Sequence, residues 1–219
     1  MKHSNRLVTT LCLLGFSMIA YFVTLDASLS FDAYLQNAIF SMRNESLNTF
    51  FITLTRTGDW QTFLTICVVL LLSPKTRDRF GLPLSFVASS SLLLYSILKY
   101  IFQRPRPMVA LHLIEQGGFS FPSGHTLTSL IFYGTLILLL NQYYGAKHKA
   151  VRVISIFCAI YIFLIAFSRI YLGVHYPTDI LGSWFLGIMI LSFFHTHFIS
   201  HVTRFDETEE EQSSLHLHH

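Results

Sequence analysis

Apolar residues fall along this chain in long runs, at about 7–25, 61–72, 82–102, 125–144, 153–168 and 178–200, with short polar stretches between them. A helix of about 20 apolar residues matches the hydrocarbon thickness of a bilayer, so the pattern predicts membrane-crossing helices. Gln61 to Leu72 is too short to cross alone, and its helix is expected to start near Thr57-Gly58-Asp59. The stretch from Ser28 to Thr55 is different. There Phe31, Tyr34, Leu35, Ala38, Ile39 and Met42 recur at helical spacing, with Asp32, Gln36, Asn37 and Arg43 between them. Such a segment reads as an amphipathic helix lying in the membrane interface, its apolar face turned into lipid. The expected fold is all-α. It is an integral membrane bundle of six transmembrane helices over residues 1–200, with an amphipathic interfacial segment between helices 1 and 2. Residues 201–219 form a polar, acidic and His-rich tail.

Composition supports a membrane class: 52% of the 219 residues are hydrophobic and only 12% are charged. Cys12, Cys67 and Cys158 all lie in apolar runs, so they are expected to be small buried hydrophobes rather than disulfide or metal partners. The net charge of +3 carries no basic stripe and gives no reason to expect nucleic acid as a partner. Met1 to Arg6 is basic and precedes Leu7 to Leu25, the order found in a secretory signal peptide. No small-x-small cleavage site follows, and further spans do, so a retained helix is expected.

Basic residues also set the orientation. The N-terminus, the turn at 73–79 (Lys75, Arg77, Arg79) and the turn at 145–152 (Lys147, Lys149, Arg152) share one side of a six-span bundle. By the positive-inside rule that side is the cytoplasm, with both termini on it. The expected location is the bacterial cytoplasmic membrane.

Three polar stretches then meet on the opposite, extracytoplasmic face: 99–107, 121–126 and 168–179. They carry Lys99, Arg106, Arg169, His125, His175 and Asp179 beside sequence that belongs in lipid. An ionisable side chain in the bilayer costs about 2.5–3.5 kcal/mol on insertion scales, so such a cluster is a functional site by default. A lone Lys or Arg at a helix end merely snorkels to the head groups. Convergence of several points to an anion instead. Arg offers a planar fork that matches phosphate oxygens, and Lys a point charge. Ser123 and Gly124 open an apolar helix, where first-turn N–H groups bind anions and Gly permits close approach. Asp179 follows His175 by four positions and can reach back to one ring nitrogen, leaving the other as a nucleophile.

These residues suggest two-step phosphoryl transfer. His175 attacks phosphorus, oriented by Asp179. Lys99, Arg106, Arg169 and the Ser123 and Gly124 amides hold the oxygens, and His125 exchanges protons with the leaving group and water. Two other chemistries use the same residue types. Zinc could be held by the two His and the Asp, but three cations would repel it, so no metal and no cofactor are expected. Ser123 could serve as nucleophile with His125 as base, although both crowd one helix start. A non-enzymatic reading also stands: a lipid-phosphate binding or transport protein that uses the cationic pocket without the His175–Asp179 pair.

The three stretches resemble the motifs of the type 2 phosphatidic acid phosphatase (PAP2) superfamily, in its membrane lipid phosphatase branch. They read Lys99 with Arg106-Pro107, then Pro122-Ser123-Gly124-His125, then Ser168-Arg169 with His175 and Asp179, at the family's spacings throughout. The resemblance implies a metal-independent phosphatase with His175 as nucleophile, His125 as acid and base, and an extracytoplasmic site. It also covers soluble acid phosphatases and vanadium haloperoxidases, which the apolar spans here argue against. The implied partner is a lipid phosphate drawn from the bilayer: phosphatidylglycerophosphate, phosphatidic acid or undecaprenyl pyrophosphate. Other contacts are membrane lipids, and no obligate protein partner is inferred. Met108, Val109, Leu111, Leu113 and Ile114, or the 31–42 helix, are candidates for the lipid tail's path.

Overall fold

The computed structural model describes residues 2–196. The predicted tail at 201–219 and the last residues of the sixth apolar run lie outside them. Every regular element among the described residues is helical. The order is α1 (Lys2–Thr24), α2 (Leu29–Phe40), α3 (Glu45–Arg56), α4 (Trp60–Leu72), a one-turn α5 (Pro74–Thr76), a wide π-turn (Arg77–Gly81), α6 (Leu82–Phe102), a 3₁₀ turn (Val109–Leu111), α7 (Gly124–Tyr144), α8 (Lys149–Tyr171) and α9 (Pro177–Phe194).

Among the described residues, five segments are long and apolar enough to cross a membrane: Asn5–Thr24, Pro74–Phe102, Gly124–Tyr144, Lys149–Tyr171 and Pro177–Phe194. The remaining apolar run, the second along the chain, folds as α4, whose 13 residues span about 20 Å at the helical rise. Its predicted beginning at Thr57-Gly58-Asp59 is instead a non-helical link from α3, with Asp59 extended at the N-cap.

The helices α6, α7, α8 and α9 run antiparallel in turn, and α1 runs antiparallel to α9. Asn5 on α1 meets His195 just past α9 at 3.1 Å, and Thr9 meets Ser192 at 3.2 Å. Hydrophobic burial cannot drive helix association where lipid is equally apolar, so close packing must. A Cβ on Gly15 would stand 2.6 Å from the Phe185 ring, so α1 reaches α9 only because that position is glycine. Between α4, α6, α7 and α9 the core is Phe63, Leu84, Val87, Leu127, Ile131, Phe132 and Leu186. The outward faces of α1 and α8 leave Leu7, Leu11, Leu14, Ile156, Phe157 and Phe163 exposed, as lipid-facing helices do.

The single interfacial helix expected at 28–55 is two helices broken at Asn44, whose side chain caps α3 by accepting from Leu47 N at 3.0 Å. The most buried side chains of α2 are polar. Asp32 and Gln36 are buried, whereas Phe31, Tyr34 and Met42 are exposed. Arg43 donates from Nε and Nη2 to the Tyr171 carbonyl at 3.0 and 2.6 Å, covering an open end of α8. The α8–α9 turn passes through Gly173 at φ 78°, where a Cβ would lie 2.2 Å from the Leu111 carbonyl oxygen. Only glycine fits that left-handed turn.

Candidate active site

One end of the bundle gathers the three polar motifs. Lys99 comes from the last turn of α6, His125 from the first of α7, Arg169 from the last of α8 and Asp179 from the first of α9. The loops contribute Arg106, just past α6, and His175, just before α9. Lys99, Arg106, Gly124, His125, Arg169 and His175 all line one cavity of about 560 Å³. The same cavity continues between α4 and α6 along Leu64, Val68, Leu71, Ala88 and Leu92. The apolar lining of that cavity comes from α4 and α6, and neither Met108–Ile114 nor residues 31–42 contribute to it.

His175 is 2% exposed and its Nδ1 sits 3.1 Å from Asp179 Oδ2. Oδ2 also accepts from the Tyr176 amide at 2.9 Å, so Pro177 opens α9 with the carboxylate folded back over its own N-cap. A carboxylate can only accept, which places a proton on Nδ1 and a lone pair on Nε2. Arg106 Nη1 lies 3.2 Å from that Nε2. Burial, reinforced by the nearby Arg106 and Lys99 charges, holds the imidazole well below its ordinary pKa, so it is neutral at pH 7. Arg106 is itself pushed down to about 10 by burial, against the pull of Asp179, and remains cationic.

The cations are presently satisfied by the loop beside them. Lys99 Nζ donates to the Phe119 carbonyl. Arg106 Nε donates to Gly117 and Gly118 carbonyls at 3.0 and 3.1 Å, and Nη1 to Val174 O at 2.6 Å. Arg169 is 1% exposed; it donates to Thr55 Oγ1 and Gln116 Oε1, each at 2.6 Å. Its Nε is buried with no partner among the described residues. An unpaired buried donor on a cation is costly.

One expectation needs correction. The Ser123 amide is not free for an anion: it donates to Ser183 Oγ at 2.8 Å, and the residue is fully buried behind the cavity wall. Its hydroxyl accepts from Thr126 Oγ1 at 3.0 Å, so Ser123 braces the start of α7. His125, moreover, has a carboxylate partner that the motifs do not contain. Asp59 Oδ1 lies 2.8 Å from His125 Nε2. Asp59 is the N-cap of α4 yet caps nothing with its side chain. The one available signal was an acidic residue at the head of an apolar run.

Residues 80–201 match the model of the PAP2 superfamily. The chain belongs to that superfamily. Phosphatidylglycerophosphatase B of Bacillus subtilis (strain 168) is 31% identical over 183 residues, covering 81% of this chain and 88% of that protein. Undecaprenyl-diphosphatase of Sulfolobus acidocaldarius is 27% identical over 186 residues, covering 81% and 85%. The crystal structure of a transmembrane PAP2 type phosphatidylglycerolphosphate phosphatase from Bacillus subtilis superimposes with a TM-score of 0.76 at 29% identity, covering 91% of this chain and 96% of that one. This PAP2 member is accordingly a membrane-embedded hydrolase acting on phosphate esters. Asp59 and α1–α4 all precede the matched residues.

Proposed function

We propose that this protein hydrolyses the phosphomonoester or pyrophosphate head group of a membrane lipid through a phosphohistidine on His175. One observation carries the reading. The cavity that holds three cations and two imidazoles runs on without a break into an apolar groove between α4 and α6. A phosphate with a hydrocarbon tail has that shape and that division of polarity.

In the first step the His175 Nε2 lone pair attacks phosphorus and the bond to the leaving oxygen breaks, that oxygen taking a proton from His125. Water, deprotonated by His125, then attacks phosphorus. The N–P bond breaks and inorganic phosphate leaves. Lys99, Arg106, Arg169 and the Gly124 amide hold the phosphoryl oxygens in place of the loop carbonyls and Gln116, and Ser123 fixes the turn that presents Gly124. Asp179 keeps the His175 proton on Nδ1. Asp59 orients His125.

The antiparallel order supports six crossings, with α4 and the Gly58–Asp59 link as the second. The turns at 73–79 and 145–152 lie at the end away from the site, so the positive-inside rule puts the cavity on the extracytoplasmic face. Exposed Phe31, Tyr34 and Met42 suit α2 to the interface there. The test is release of inorganic phosphate from phosphatidylglycerophosphate, phosphatidic acid and undecaprenyl pyrophosphate by purified protein with EDTA present. Turnover of at least one is expected. Binding of all three without turnover, or activity that EDTA removes, would reject the mechanism.

A further inference from the structure

Behind the His175–Asp179 pair lies a second layer of charge that the proposed chemistry does not use. Arg104, 4% exposed, stands between two carboxylates that are fully buried. Its Nη1 donates to Asp179 Oδ1 at 2.6 Å and its Nη2 to Asp32 Oδ2 at 2.7 Å. The same nitrogens reach Thr178 Oγ1 at 2.8 Å and Ser28 Oγ at 3.0 Å, and the guanidinium lies 4.1 Å over the Tyr176 ring. Asp32 also takes the Thr178 amide at 2.9 Å and the Thr178 hydroxyl at 2.7 Å. A carboxylate on α2 therefore caps the first turn of α9, the turn that carries Asp179. Four residues on, Gln36 Nε2 holds the His175 carbonyl at 3.2 Å.

This layer has a geometric consequence. Asp179 has two oxygens and three strong donors around it. With Arg104 fixed on Oδ1, Oδ2 is left to the His175 and Tyr176 N–H groups. Without Arg104, Asp179 would be a buried carboxylate with no cation in contact, free to rotate and driven toward its neutral form, which no longer anchors an Nδ1 proton. Asp32 matters because Arg104 alone, at the end of a flexible side chain, would not hold a set position. Asp32 grips it from the opposite edge, in the fork geometry that suits guanidinium. Neither Asp32 nor Arg104 lines the cavity. Asp32 also lies outside residues 80–201.

We propose that Asp32 and Arg104 are positioning residues for the His175 imidazole, with α2 acting as a lock on the start of α9. The inference rests on the reading of His175 as the nucleophile. The experiment compares Asp32→Asn, Asp32→Glu, Arg104→Gln and Arg104→Lys with His175→Ala in detergent-purified full-length protein. Readouts are kcat and KM on phosphatidic acid, inhibition by orthovanadate, and melting temperature. Asp32→Asn should lower kcat by roughly tenfold to a hundredfold, the scale of a misplacement of about 1 Å at a reacting group. KM and vanadate affinity should stay within about threefold, because the phosphate-holding cations are untouched. Arg104→Gln should lose more, and Arg104→Lys should regain part of the loss by reaching one carboxylate. If Asp32→Asn or Arg104→Gln does not fold, Asp32→Glu and Arg104→Lys carry the same comparison at smaller amplitude.

A folded variant with parental kcat overturns the lock. So does a kcat loss matched by an equal loss of vanadate affinity, since that reports general disruption of the pocket. Full activity in His175→Ala would instead overturn the nucleophile itself. An inactive His175→Ala beside a normal Asp32→Asn would reject only the lock.

Discussion

The cavity holds two imidazoles, each paired with a carboxylate, in opposite settings. The His175 and Asp179 side chains are 2% and 0% exposed, whereas those of His125 and Asp59 are 19% and 42% exposed. Asp179 is one helical turn from its histidine and is held by Arg104 and a backbone amide. Asp59 arrives from the link before α4, 66 residues away in sequence, and among the described residues its side chain has no second hydrogen bond. The contrast matches two different tasks in the proposed mechanism. A nucleophile must present one lone pair in one direction, which burial and a rigid partner secure. An acid and base must trade its proton with water every cycle, which a shut-off, rigidly paired imidazole could not do.

The comparison can be broken most severely at the buried pair. His175→Ala should remove turnover while orthovanadate still binds the cations, measured by phosphate release and by displacement of a bound inhibitor. Asp179→Asn keeps the shape but releases the Nδ1 proton, and a loss on the order of 10⁴-fold in kcat is expected by analogy with a triad carboxylate. If Asp179→Asn lost no more than Asp59→Asn, the distinction between the pairs would disappear.

At the exposed pair the effect should be smaller. Asp59→Asn should lower kcat by about tenfold to a hundredfold, at or below the lower limit for acid–base assistance, because His125 itself remains. The loss should be least with substrates whose leaving group is already acidic. Equal losses for good and poor leaving groups would place Asp59 outside proton transfer.

A Gly124→Ala change probes the floor between the two pairs. The new Cβ would stand 3.1 Å from the ring of Tyr95, which lines the cavity and must give by a few tenths of an ångström. KM should rise several-fold with kcat less affected, whereas an unchanged KM would mean that no phosphate oxygen approaches Gly124 closely.

The smallest predicted effect is on pH. Burial lowers the His175 pKa from its ordinary value near 6.5, so the folded protein keeps the ring neutral as pH falls through that value. The unfolded chain binds the proton there and the folded one does not. Stability contributed above pH 6.5 is therefore lost as pH falls, while the nucleophile stays competent. Between pH 7 and 6, melting temperature should decline before any acid limb assigned to His175 appears in kcat/KM. An acid limb centred at 6.5 would contradict the depressed value.

What the sequence made legible was chemical type and helical period. Runs of apolar residues predicted α1, α6, α7, α8 and α9, because a bilayer admits few alternatives to a helix of spanning length. Motif spacing singled out the cavity-lining cations, His125 and His175, and the i, i+4 relation of His175 to Asp179 is local enough to survive any tertiary arrangement. Three things were decided only by packing. Asp59 reaches His125, the Ser123 amide is taken by Ser183, and Asp32 turns inward to Arg104. Periodicity tells which residues share a helix face. It does not tell whether the polar face meets water or buried charge, because that depends on what other helices bring opposite it.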